Sequence, residues 1–131
     1  MNHSELEAKA LALVNRARQA AGRQKIAWML PGKRRVPRQC ALTLALSQEG
    51  IGGYYAIGYE SLTSDDPKLV AACAKAWGTT TYTGLSAIGL SVVLLPSELT
   101  AFAKLFDKGE FPHLIAERKA CELPSSSFGT A

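Results

Sequence analysis

The chain has 131 residues, 47% of them hydrophobic and 20% charged, and carries a net charge of +4. That balance suits one folded domain and argues against a disordered chain. The longest apolar stretch, Leu85 to Leu95, is interrupted by Ser86, Gly89 and Ser91 and falls short of the ~20 residues a membrane-crossing helix needs.

The N-terminal stretch Met1-Asn2-His3-Ser4-Glu5-Leu6-Glu7 lacks the basic and apolar regions of a secretion signal. Three widely spaced cysteines, Cys40, Cys73 and Cys121, do not make a disulfide framework. A cytoplasmic protein with reduced thiols is expected. Charge is unevenly spread: residues 1–50 hold nine Lys and Arg against three Glu, giving +6, and residues 51–131 hold six against eight acids, giving −2.

In chain order, Ser4 to Ala21 reads as an amphipathic helix capped by Ser4 and stopped by Gly22. Leu6, Ala10, Leu13, Val14 and Ala17 recur at the spacing of one buried face. A short strand is expected over Ile26 to Leu30, closed by a turn at Pro31-Gly32. Lys33 to Arg38 forms a basic loop. A largely buried helix then starts near Pro37 and runs to Gly50.

Tyr54 to Ile57, framed by Gly50, Gly52, Gly53 and Gly58, suggests a strand with a bulge. Asp66 and Pro67 open a helix that Gly78 closes after Trp77. Thr79 to Gly84 fits strand or loop, and Ile88 to Leu95 is the clearest strand. Ser97 is expected to cap a helix with Leu99, Phe102, Ala103 and Phe106 on one face, ended by Lys108-Gly109. A turn of helix at Pro112–Glu117 follows. Together these elements predict an α+β domain over residues 1–124, with about four helices on a small sheet of three to four strands. Residues 125–131 read as a flexible C-terminal tail.

No catalytic motif emerges. A Cys–His pair would have to join Cys40 or Cys73 to His113, yet both cysteines lie in apolar helical runs where thiols are usually inert. Cys40, Cys73, Cys121 and His113 equal a zinc ligand set in number but lack close pairing. The glycines at 50–58 have no following lysine, so they are not a phosphate loop. Asp65 and Asp66 suit a helix cap, while Asp107 and Glu110 flank Gly109 in what reads as a solvated turn. No cofactor and no metal are expected, and a non-catalytic role is favoured.

The basic cluster is the strongest signal. Lys9, Arg16, Arg18 and Arg23 on or beside the first helix, with Lys33, Arg34, Arg35 and Arg38 on the loop, form a possible face for nucleic acid or an acidic protein surface. Binding through Lys9, Arg16, Arg23, Lys33, Arg34, Arg35 and Arg38 is therefore the leading expectation, although no nucleic-acid motif accompanies it. Two alternatives stand beside it. One is a small enzyme or ligand-binding protein with a site drawn from Cys40, His113, Tyr54, Tyr55, Asp107 and Glu110; the other is an oligomer-forming structural subunit.

Two stretches carry a resemblance. Leu30-Pro31-Gly32-Lys33 with Cys40-Ala41-Leu42-Thr43-Leu44-Ala45-Leu46 resembles an LPxG…CPLxxAL pattern. Leu95-Pro96…Phe106-Asp107-Lys108-Gly109-Glu110-Phe111-Pro112-His113-Leu114-Ile115 resembles an FDxGxYPxLI ending. Both patterns belong to small uncharacterised bacterial proteins, actinobacterial ones among them. Ala41 departs from the proline of the first pattern, and the resemblance implies no activity. In the second stretch Phe102, Phe106, Phe111, Leu114 and Ile115 are expected to fold back onto the core.

Overall fold

The first helix, α1 (His3–Ala20), has its cap two residues earlier than its sequence punctuation suggests. Asn2, not Ser4, is the cap: its side chain accepts the Glu5 N–H at 2.8 Å, and the Glu5 carboxylate accepts the Asn2 N–H at 2.9 Å. This reciprocal pair satisfies two of the donors a helix start leaves open, and it leaves Ser4 inside the helix. The expected face of Leu6, Ala10, Leu13, Val14 and Ala17 is buried. In this computed structural model residues 2–36, 38–47, 55–83 and 90–116 are described, without the side chains of Tyr55, Ala56 and Thr83.

The strand expected at Ile26 to Leu30 does not form. Asn15, buried on α1, takes the place of a neighbouring strand. Its amide oxygen accepts the Ile26 N–H at 2.8 Å and its amide nitrogen donates to the Ile26 carbonyl at 3.0 Å. One side chain thus satisfies both backbone groups of Ile26, and Trp28 and Leu30 are left exposed. Pro31-Gly32 is not a turn either; the chain reverses at Arg34 and Arg35.

The second helix, α2 (Ala41–Ser47), is short, with Ala41, Leu42, Thr43, Ala45 and Leu46 buried. Cys40 precedes it and acts as its cap, the sulfur accepting the Thr43 N–H at 3.4 Å. Pro37 and Gly50, its expected limits, lie outside the described residues.

Four antiparallel strands follow: β1 (Tyr55–Ile57), β2 (Ser61–Ser64), β3 (Thr81–Thr83) and β4 (Ser91–Leu94), in spatial order β1-β2-β4-β3. The expected α+β class and strand number are met. However, β2 has no counterpart among the expected strands, although it is central. It pairs with β1 through Ile57–Leu62 and with β4 through Leu62–Val93 and Ser64–Ser91. Ile57, Leu62 and Val93 face the helices and are buried with them.

Helix α3 (Pro67–Trp77) forms as its punctuation predicts. Asp66 accepts the Lys68 and Leu69 N–H groups, and Gly78 closes the helix at φ 67°. The Trp77 indole N–H donates to the Leu13 carbonyl at 2.8 Å, tying α3 to α1. In α4 (Ser97–Asp107) the cap position falls to Pro96, and the Ser97 hydroxyl bonds Glu98 instead. Its expected face of Leu99, Phe102, Ala103 and Phe106 is buried. After Gly109 the chain folds back as expected: Phe111 stacks on Phe102 with ring centroids 4.5 Å apart, and a 3-10 turn spans Pro112–Leu114.

This returning segment clasps the residues before α2. Gly32 donates to the Leu114 carbonyl and accepts from Ala116, both at 2.8 Å, in an isolated parallel bridge. A Cβ at position 32 would lie 2.5 Å from the Gln39 carbonyl oxygen and 2.6 Å from the Ala41 nitrogen. The clasp therefore depends on glycine.

Arg18 joins α1 to α2. Only 1% exposed, it donates from Nε to the Gln24 carbonyl and from Nη1 to the Ala45 carbonyl, each at 2.7 Å. Arg23 reaches the next carbonyl, that of Leu46. Both guanidiniums thus answer orphan carbonyls at the end of α2, where the helix dipole also favours positive charge. Among the described residues no helix is long and apolar enough to cross a membrane.

Two substitutions test these ties by urea unfolding. Arg18→Met is expected to cost about 3 kcal/mol, because the carbonyls it serves become buried without a donor. Gly32→Ala is expected to cost about 2 kcal/mol through forced movement of the backbone.

Candidate functional site

The structure separates the basic residues that sequence had grouped together. Arg18 is buried, so it contributes nothing to a surface. Arg23, just after α1, is half-buried against the end of α2, and the Arg34 guanidinium lies over Gly109, where a Cβ would meet it at 3.3 Å. Lys9 and Arg16 are exposed on α1, and Lys33, Arg35 and Arg38 are exposed on the loop. The loop is closed on itself, Lys33 N–H donating to Gln39 O and Gln39 N–H to Val36 O, and is tied to the rest of the fold by the Arg35 N–H, which donates to Asp107.

A pocket of about 370 Å³ opens beside this loop. Its walls come from four parts of the chain: the loop, the start of α2, the end of β1 with the turn after it, and α4. Leu42, Ile57, Phe102 and Phe106 supply apolar walls, with Ala103 and Cys40 beside them. The helical spacing of Phe102, Ala103 and Phe106 turns these residues to one side of α4, so the face that fills the core also lines the pocket.

The polar groups gather at one side, around Asp107. One carboxylate oxygen accepts the Arg35 backbone N–H at 2.8 Å, and the other accepts the Tyr59 hydroxyl at 2.7 Å. Asp107 is therefore not the freely solvated turn residue its sequence context suggested. Its hydrogen bond raises the Tyr59 phenol above its usual range, with the negative charge of the carboxylate adding to the effect. Arg35 has φ 60°, a left-handed conformation costly for a side-chain-bearing residue.

Cys40 lines the same pocket but is no nucleophile in waiting. Burial pushes its thiol up, and the hydrogen bonds with Thr43 only partly oppose that shift. Cys73, fully buried on α3, is pushed up to about 12 by burial. No imidazole lines the pocket among the described residues. Nε2 of His113 bonds Glu7 at 2.7 Å, and His3 faces Glu110 at 3.7 Å, on either side of Phe111. A thiolate–imidazole pair is thus not assembled from Cys40 or Cys73 with His113.

Of the residues expected for a scattered site, the structure brings together Cys40 and Asp107. His113 and Glu110 are paired elsewhere, Tyr54 lies outside the described residues, as does Cys121 of the zinc-ligand set, and the Tyr55 side chain is not described. Sequence reasoning missed Tyr59 and the apolar walls, because α4 reads as core alone. Among the described residues no group of His, Cys, Asp or Glu is arranged to hold a metal ion. Comparison with models of protein families, with curated proteins and with solved structures finds no match to this chain.

The raised Cys73 pKa sets a pH dependence with a definite sign. The unfolded thiol ionises near 9.0 and the folded one near 12, so its stabilising effect is complete below 9 and is lost as pH rises towards 12. Unfolding free energy measured across that window is expected to fall more steeply in the native sequence than in Cys73→Ala.

Proposed function

We propose that this chain binds a small, mainly apolar organic molecule in the pocket between α2, the β1–β2 turn and α4. The observation that carries this reading is the pocket's composition: a cavity of about 370 Å³ with apolar walls and polar groups converging at one side. Ligand sites have this form, with apolar surface supplying affinity and a few fixed polar groups supplying orientation. The volume lies in the lower part of the ~300–1,000 Å³ range of small-molecule sites.

Binding without chemistry is the reading that fits the residues present. General acid–base or nucleophilic work needs a poised proton acceptor beside a reacting group. Here the thiol is protonated, the phenol is held above its usual range, and the carboxylate is already bonded on both oxygens. The macromolecular reading keeps Lys9, Arg16, Lys33, Arg35 and Arg38 as exposed cations. Arg23 and Arg34 are drawn into contacts within the fold, so the pocket has more to recommend it than the basic face.

A fragment screen by protein NMR tests this directly. Hits are expected to shift resonances of Leu42, Ile57 and Ala103 and to raise the unfolding temperature in proportion to occupancy. Ala103→Leu and, independently, Val36→Trp should weaken binding at least tenfold while leaving the circular dichroism unchanged. Hits that instead map to Lys9, Arg16 and Lys33, with the pocket silent, would favour the basic face.

A further inference from the structure

We infer that the ligand of this pocket is an amphipathic organic anion, an apolar body carrying one carboxylate, which the Arg35 guanidinium receives at the rim. The inference rests on the pocket reading above and adds the chemistry of the ligand's head group. Three features of the rim lead to it.

First, the existing hydrogen bonds leave one kind of group on offer. Asp107 already accepts one hydrogen bond on each oxygen, and the Tyr59 proton is committed to it. What the rim still presents as a donor is the Arg35 side chain, which lines the pocket and is exposed. Among the described residues its guanidinium makes no hydrogen bond; Arg35 enters the network through its backbone N–H. A guanidinium offers a planar fork that matches a carboxylate on two N–H groups.

Second, the backbone at Arg35 is held where an arginine is not the least costly choice. At φ 60° glycine or asparagine is accommodated more easily, so the strain argues that this side chain has a use there. Asp107 keeps the backbone in place by accepting its N–H, which makes Asp107 a positioning residue rather than a direct ligand contact.

Third, the local charge selects the ligand's sign and its size. Among the described residues that line the pocket, Arg35 is the one cation and Asp107 the one carboxylate, and both oxygens of Asp107 are already bonded. An amine entering the pocket would face the Arg35 guanidinium, while the Asp107 carboxylate is already bonded twice. A monoanion is attracted, and a second negative charge would meet Asp107 at the same rim. The apolar walls of Leu42, Ile57, Phe102 and Phe106 then require that the rest of the molecule be hydrocarbon or aromatic.

Calorimetric titration of the intact chain with two matched sets of probes tests the inference. One set is phenylpropanoate, phenylpropanamide and phenylpropylamine; the other is heptanoate, heptanamide and heptylamine. Within each set the carboxylate is expected to bind about tenfold tighter than the amide, with the amine weakest. Arg35→Gln should bring the carboxylate down to the level of the amide and leave the amide unchanged, while Arg35→Lys should recover part of the difference. An amide or amine that binds as tightly as its carboxylate, or a preference that survives Arg35→Gln, overturns the anion inference and leaves the pocket reading standing. If no probe binds, or if binding is indifferent to both Ala103→Leu and Val36→Trp, the pocket reading falls and takes the inference with it.

Discussion

The position of α2 depends on a charge buried among carbonyls. Arg18, on α1, meets the carbonyl of Gln24 beyond its own helix and that of Ala45 at the end of α2. Taking a guanidinium out of water is costly unless its donors find acceptors, and the ends of helices are where unused acceptors collect. The two needs answer each other. With α2 fixed at its C-terminal end by Arg18 and Arg23, its N-terminal end brings Cys40 and Leu42 to the pocket. A residue of the type most often found on surfaces is thus the one that orients a wall of the candidate site.

Asp107 plays the corresponding part at the rim. It sits at the end of α4 and binds the β1–β2 turn through Tyr59 and the basic loop through Arg35. Three segments far apart in sequence are held by one carboxylate, and none of them is anchored there by apolar packing alone. The clasp of Gly32 with Leu114 and Ala116 secures the root of the same loop. The loop is consequently part of the framework, and its backbone has a defined place.

The elements most legible in the sequence are those whose signals are local. α3 carries its own cap in Asp66, its own proline and its own terminal glycine, and each acts within a turn of where it is written. The apolar faces of α1 and α4 are equally plain, since helical periodicity does not depend on the partner. β2 was not legible: four residues with two inward side chains make too short a pattern, and the strand exists because β1 and β4 flank it. The same holds for Ile26, whose hydrogen bonds come from Asn15, eleven positions earlier. As for the site, Cys40 and Asp107 could be picked out as chemically able residues. Their meeting could not, because it depends on contacts such as Arg35 to Asp107, 72 positions apart. Charge counting misled at Arg18, where the deciding fact is the supply of carbonyls around it.

The clasp between Gly32 and the segment after α4 also has a consequence for how the molecule comes into being. Loop closure between distant parts of a chain is slow relative to local helix formation. The N-terminal helix has its cap and its apolar stripe from the outset, whereas the opposite pocket wall, Phe102 to Asp107, is synthesised long after the loop it faces. Until the ribosome has released residues 114–116, the partners of Gly32 do not exist and the root of the basic loop is not clasped. The cavity therefore requires the chain through α4 and the segment that follows it, and is absent from any nascent fragment ending before α4.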